Sequence, residues 1–337
     1  MRRVRGKRNR PGTSRATPSR TAPWLLLLLL VVLLPTGAGP PPSAAAPRTS
    51  AHASSGAAGP GQAKPAGTVW ESVRVDGQLR RYLLSVPPGL RTRAPLVLAF
   101  HGLGQRAGSF AAATGLVPAT RAAGQVLALP ECLGPAFNDG RLGARGPRDD
   151  AFATALIDRL AGTGLIDPRR VVITGFSNGA GMAMEVAGRH PRTIAAVVSI
   201  DGALIAAPGA PRPTGPVPAY LVHGTADRIQ PWDGRRAAGP TWPAYISQPA
   251  TVAAWVRADG AGTTSARTIA GADGHGDVTV HSWAPGPSGA GVTFYVVAGM
   301  GHRWPLVTSG PGGRGRDAID ATAIVVQTAT SAVLAGS

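Results

Sequence analysis

The 337 residues suffice for one large domain or two small ones, and their 34 lysines and arginines outnumber 17 aspartates and glutamates. The charge is uneven: residues 1–67 hold ten cations and no acid, leaving 24 cations against 17 acids beyond, so the basic excess says little about a folded partner surface. With only Lys7 and Lys64, neither after a Gly-rich loop, a Walker-type nucleotide site is excluded, and the single Cys132 excludes a zinc ribbon or an intrachain disulfide.

Met1 to Pro23 is basic and rich in Thr, Ser and Pro, and Trp24 to Leu34 follows as an apolar run stopped by Pro35. A membrane-spanning helix needs about 20 apolar residues, whereas the core of a secretory signal needs about 7–15. The order basic, apolar, small therefore predicts export, with a signal over residues 1–53 cleaved after Ala51-His52-Ala53 and no stable membrane association afterwards. An uncleaved signal anchor is the lesser alternative. Residues 54–67 are Gly/Ala/Pro-rich and read as a flexible linker, and residues 68–337 as the folded domain.

In that domain β-rich runs occur at Val69–Val75, Arg80–Val86, Leu96–His101, Val126–Leu129, Val171–Thr174, Ile194–Ile200, Ala219–His223 and Thr293–Val297. The first two alternate apolar and polar residues, as half-exposed edge strands do, whereas Leu96–Phe100 and Val171–Ile173 are continuous apolar runs, as strands covered on both faces are. Helical patterns fall at Asp149–Leu160, Ser177–Arg189, Gln248–Ala258 (after a Ser247 N-cap) and Asp317–Val333. Asp149 and Asp150 read as caps at a positive helix end. Thr264–Ile269 and Val278–Trp283 read as a hairpin before the last strand. Strands alternating with helices predict an α/β fold, a doubly wound, mostly parallel sheet with helices on both faces.

Gly175-Phe176-Ser177-Asn178-Gly179 matches the nucleophile elbow G-x-S-x-G. Its placement gives the match weight: it follows a buried-strand run and opens a helical one. A tight strand-to-helix turn exposes the serine Oγ, the glycines avoid clashes between strand and helix, and the helix N-terminus favours negative charge. Ser177 is thus the candidate nucleophile, against a reading as a simple N-cap, and the Asn178 amide a candidate oxyanion donor.

A serine needs a base and the base an orienting acid, which in this architecture follow in the order Ser, Asp or Glu, His. His302 lies in the loop after the last strand, at the end of the sheet where catalytic groups gather. His190 reads as a helix-end residue, His281 as a strand residue and His275 as a solvated turn. Asp227, after the strand Ala219–His223, is the preferred acid, and Asp201, after Ile194–Ile200, its rival. The second oxyanion amide is expected from His101-Gly102-Leu103-Gly104-Gln105, with Leu103 ahead of Gly104. His101 itself reads as a buried, hydrogen-bonded residue, and Cys132 as a buried small hydrophobe.

His101-Gly102 with Gln105, the Gly175–Gly181 elbow, His223-Gly224-Thr225-Ala226-Asp227 and Gly301-His302-Arg303-Trp304-Pro305 occur in that order. Together they resemble the secreted α/β-hydrolase esterases grouped as polyhydroxybutyrate depolymerases, feruloyl esterases and acetyl xylan esterases, from about Val73 to the C-terminus. The resemblance implies an α/β-hydrolase fold, with Ser177 as nucleophile, Asp227 as acid and His302 as base. It implies hydrolysis of an ester, a poly-3-hydroxybutyrate type of polyester or a feruloyl or acetyl ester of plant polysaccharide, with no metal or cofactor. The Ser-Asn-Gly elbow is closer to the feruloyl-esterase branch, and the disulfides many members carry near the active site have no counterpart here. Trp232 and Trp304 are candidate substrate-binding walls. Two other readings are a serine peptidase of the prolyl-oligopeptidase kind, whose propeller is absent from this sequence, and a non-catalytic exported binding protein. Scattered arginines without a basic-aromatic stripe argue against nucleic acid.

Overall fold

The computed structural model describes residues 67–239, 242–271, 276–307 and 317–334. Residues 1–66, which hold the expected signal and most of the linker, and His275 lie outside the described residues.

The strands are β1 (Gly67–Val75), β2 (Gln78–Val86), β3 (Ala94–Phe100), β4 (Val126–Pro130), β5 (Ile166–Phe176), β6 (Ala196–Ile200), β7 (Ala219–Gly224), β8 (Thr264–Ile269), β9 (Val278–Trp283) and β10 (Val292–Val297). They form one ten-stranded sheet in the order β1-β2-β4-β3-β5-β6-β7-β10-β9-β8. From β4 to β10 every neighbouring pair is parallel. Antiparallel hairpins close both sides, β1–β2 on one and β8–β9 on the other.

The helices are α1 (Ala107–Thr114), α2 (Leu116–Ala122), α3 (Asp149–Gly162), α4 (Asn178–Arg189), α5 (Gln248–Asp259) and α6 (Ala321–Ser331). Alternate side chains of the central strands serve opposite faces. Leu96, Leu98 and Phe100 of β3 pack with Phe152 and Leu156 of α3, Met182 of α4 and Trp255 of α5. Val97 and Ala99 pack with Phe110 of α1, Leu116 of α2 and Val325 of α6. The helices therefore cover both faces, as the strand–helix alternation implies.

Several local expectations need correcting. The sequence pattern does not separate α1 and α2 from the loop after β3, because their small residues carry little periodicity. The last helix begins at Ala321, where the Asp320 side chain caps the Ala323 amide, and not at Asp317. Asp149 is no cap, since the N-cap residue of α3 is Arg148 and makes no side-chain bond. Instead Asp149 accepts from Arg80 at 2.5 Å and from the Asn138 amide at 2.7 Å. Arg80, in a strand that alternates like an exposed edge, is only 2% exposed and lies over the Phe152 ring. Tyr82 to Val86 is buried on both faces, with Tyr82, Leu84 and Val86 in one core cluster and Leu83 in the other, and β2 pairs with β4 as well as β1, so it is not the expected edge strand. By contrast, Ser247 caps α5 through the Ala250 amide, as its position predicts. His190 terminates α4, His281 lies within β9, and His101 and Cys132 are buried.

Candidate active site

β5 delivers the elbow from the centre of the sheet. Ser177 has φ 57° and ψ −118°, in the N-cap position of α4, yet its side chain makes no capping bond. Such a backbone costs a non-glycine residue about 1–3 kcal/mol and persists only where its surroundings impose it. Here Ser177 N–H donates to the Ile200 carbonyl at 3.0 Å, and the Gly181 amide donates to the Ser177 carbonyl at 3.0 Å. A Cβ on Gly175 would collide with the Gly179 carbonyl, and one on Gly179 with the Phe100 and His101 carbonyls at the end of β3. Gly179→Ala is therefore expected to lower stability by about 3 kcal/mol, the upper end of overpacking costs, and to displace the oxyanion loop. Paired thermal unfolding and activity measurements check it, with both expected to fall.

β7 and β10 are parallel neighbours, so the loops after them meet at the same end of the sheet. The Ala226 amide donates to the Met300 carbonyl at 3.0 Å, which ties the two loops together. Across them His302 Nδ1 lies 2.7 Å from Asp227 Oδ2. Asp227 Oδ1 accepts from the amides of Ile229 at 2.7 Å and Gln230 at 2.9 Å. Burial pushes the Asp227 carboxyl up, but the His302 hydrogen bond and charge and the Gln230 amide outweigh it, leaving Asp227 below the usual carboxylate range. Phe176, the residue before Ser177, lays its ring against the His302 imidazole with centroids 4.8 Å apart. The His302 imidazole thus bonds Asp227 and lies against Phe176, the residue next to Ser177 in the elbow.

The loop after β3 sorts its own amides. Gly102 N–H donates to Gln105 Oε1 at 2.9 Å, Gly104 N–H to the Pro135 carbonyl at 2.7 Å and Gln105 N–H to the Gly102 carbonyl at 3.1 Å. Among the described residues, the Leu103 N–H alone in Gly102–Gln105 has no acceptor, which favours Leu103 over Gly104 as the candidate oxyanion donor. The Asn178 amide, in the first turn of α4, is the other free donor, since the first N–H groups of a helix have no partner within it. The Asn178 side chain has a role that its place in the motif does not announce. It accepts from the Phe137 amide at 2.8 Å and donates to the Phe137 carbonyl at 3.0 Å, clamping the loop after β4 over the elbow.

Asp201, the rival acid, does not bond His302. Its Oδ1 accepts from the Gly224 amide at 3.0 Å and its Oδ2 from the Arg303 amide at 2.9 Å. Asp201, Asp227 and His302 each place one donor atom within 4.8 Å of the others, a grouping with metal-ligand chemistry. These atoms are already engaged with one another or with backbone amides, so the cluster closes on itself.

Trp304 and Trp232, the candidate substrate-binding walls, sit in different surroundings. Trp304 donates its indole N–H to Thr322 Oγ1 of α6 at 3.0 Å and meets the Phe110 ring edge-on at 5.5 Å. Through these contacts the half-buried Trp304 packs between α1 and α6. Trp232 stacks on Phe294 at 5.7 Å and lies 6.3 Å from the His223 ring. It borders a cavity of about 750 Å³ between α5 and the strands β9 and β10, behind the acid.

This architecture is that of the α/β-hydrolases. The acetyl xylan esterase of Aspergillus awamori superposes on it with a TM-score of 0.50, covering 71% of this chain and 95% of that one at 14% identity. In sequence, residues 148–247 match the Phospholipase/Carboxylesterase family. A protein described as an esterase, NocK of Nocardia uniformis subsp. tsuyamanensis, is 35% identical over 255 residues, 71% of this chain and 74% of its own length. Feruloyl esterase D of Neurospora crassa is 27% identical over 196 residues, 54% of this chain and 65% of that protein. The chain belongs to the esterase family of α/β-hydrolases, and it is an ester hydrolase.

Proposed function

We propose that the chain is an exported serine esterase that works through an acyl-enzyme. Ser177 Oγ attacks the ester carbonyl while His302 Nε2 takes its proton. The Asn178 and Leu103 amides hold the tetrahedral oxyanion, and His302 returns the proton to the leaving alcohol. Water then repeats the cycle and releases the acid. Asp227 keeps the His302 proton on Nδ1 and stabilises the imidazolium that forms in each half-reaction. The observation that carries this reading is the 2.7 Å contact of His302 Nδ1 with Asp227, beside a serine held at φ 57° with no capping bond.

For the substrate we favour feruloyl and acetyl esters of plant polysaccharide over a poly-3-hydroxybutyrate type of polyester. The Ser-Asn-Gly elbow and the names of the similar proteins support that order. Export rests on the basic, apolar, small-residue order of the N-terminal segment. Among the described residues no helix is long and apolar enough to cross a membrane.

The test compares hydrolysis of methyl ferulate, p-nitrophenyl acetate, p-nitrophenyl butyrate and poly-3-hydroxybutyrate film by residues 54–337. Methyl ferulate and the acetate are expected to be turned over faster than butyrate, with the film untouched. Film clearing without ferulate turnover would replace the polysaccharide-ester reading by the polyester one.

A further inference from the structure

Behind His302 and Asp227 lies a second titratable pair that the acyl-transfer scheme leaves unused. Asp201 follows β6 and His223 sits in β7, the one 0% and the other 1% exposed. His223 Nε2 lies 2.9 Å from the Gln230 carbonyl oxygen. A carbonyl can only accept, so Nε2 carries a ring proton. In a neutral ring that makes Nδ1 a bare acceptor, and Nδ1 is buried with no conventional hydrogen bond. It faces Asp201 Oδ1 at 3.5 Å. Two acceptor lone pairs directed at each other in a buried site repel, and one proton between them turns the repulsion into a long hydrogen bond.

The rest of the Asp201 carboxyl is already assigned. It holds the Gly224 amide, at the end of β7, and the Arg303 amide, next to His302. Asp201 also adopts φ 46°, a strained conformation for a residue with a side chain. The charged and titratable groups around it are His223 and Asp227 from β7 and its loop, and His302 and Arg303 from the loop after β10. Arg303 is itself paired with Asp317. An ionised Asp201 would set a second negative charge within 4.8 Å of an Asp227 carboxylate oxygen and a His302 ring nitrogen.

We propose that Asp201 is a positioning residue that works protonated, donating to His223 Nδ1 and holding the Gly224 and Arg303 amides, so that Asp227 is the single negative charge behind His302. The proposal rests on His302 being the base. Burial and the adjacent Asp227 charge push the Asp201 carboxyl well above the usual range, and burial pulls the His223 imidazole down to about 4, both towards this neutral pair. The arrangement has a purpose for catalysis. A second full negative charge about 5 Å from His302 would favour an imidazolium over the neutral ring that has to act as the base.

The test uses the active protein labelled with ¹⁵N-histidine, together with Asp201→Asn and Asp201→Ala. Between pH 6 and 8 the His223 ring is expected to show one protonated nitrogen and one bare nitrogen, the latter perturbed by Asp201→Asn. In kinetics, Asp201→Asn removes no charge and is expected to leave the acid-limb midpoint of kcat/KM unmoved. Losing the acceptor of the Gly224 amide in Asp201→Asn, and of both the Gly224 and Arg303 amides in Asp201→Ala, should lower kcat/KM by up to about 10²-fold, with Asp201→Ala lower than Asp201→Asn. Two protonated nitrogens on His223 at pH 7, or an acid limb moved down in Asp201→Asn, would overturn the proposal. Wild-type protein without esterase activity would instead count against the catalytic assignment, and the ring-nitrogen spectrum would still decide the protonation of the pair.

Discussion

Replacing Ser177 by alanine is expected to lower kcat on p-nitrophenyl acetate by about 10⁶-fold and to leave the fold intact. The two halves of that expectation have separate causes. The rate falls because the acyl-enzyme route disappears, and what remains above the uncatalysed reaction, about 10³–10⁴-fold, comes from substrate binding and the oxyanion amides. The fold survives because the Ser177 hydroxyl caps nothing; the backbone bonds to Ile200 and Gly181 hold the elbow in place. Ser177→Gly separates the two further. Glycine tolerates φ 57° without the steric cost that serine bears, so this variant is expected to be equally inactive and about 1 kcal/mol more stable than the alanine variant. Single-turnover kinetics and chemical unfolding of the three proteins check both. An alanine variant within tenfold of wild type would remove Ser177 from the mechanism.

That elbow is legible in the sequence because its signal is local. A continuous apolar strand, two glycines two residues either side of a serine and a helical run leave few other conformations. The same holds for the parallel centre of the sheet, where Leu96 to Phe100 and Val171 to Ile173 are apolar without alternation because helices cover both faces. The Asp227 and His302 loops are legible by chain order and by the strands that precede them. What escapes such a reading is set by contacts distant in sequence. Arg80 looks like an exposed edge residue until Asp149, 69 residues away, meets it in the interior. The bond of the Trp304 indole N–H to Thr322, in the last helix, has no local signal either. Asp201 and His223 each look secondary in sequence, one as a rival acid and the other as a strand histidine. Their significance is the 3.5 Å between them, which parallel pairing of β6 with β7 creates and no spacing in the sequence announces.

The two acids close to His302 are expected to fail differently when replaced by asparagine. Asp227→Asn should lower kcat by about 10⁴-fold at neutral pH. The carbonyl oxygen of the introduced carboxamide would stay with the Ile229 and Gln230 amides, turning its NH₂ towards His302 Nδ1. Nδ1 must then accept, so the ring proton moves to Nε2, the nitrogen that has to take the serine proton, and the base is held in the wrong tautomer. Asp201 is not expected to take over, although one of its oxygens lies within 4.8 Å of a His302 ring nitrogen. Its two oxygens are fixed by amides from separate loops, and turning towards Nδ1 would strand the Arg303 or the Gly224 N–H in the interior. The double variant Asp227→Asn/Asp201→Asn should therefore show no less activity than the product of its singles, whereas a replacement role for Asp201 would make it lower. Stability gives a second readout. The folded Asp227 carboxyl lies below its unfolded value, so its contribution is present above the unfolded value and lost as the pH falls through the folded one. Wild-type protein should accordingly lose more unfolding free energy than Asp227→Asn between pH 5 and pH 3, and equal losses in the two proteins would mean that Asp227 gains nothing from His302 in the folded state.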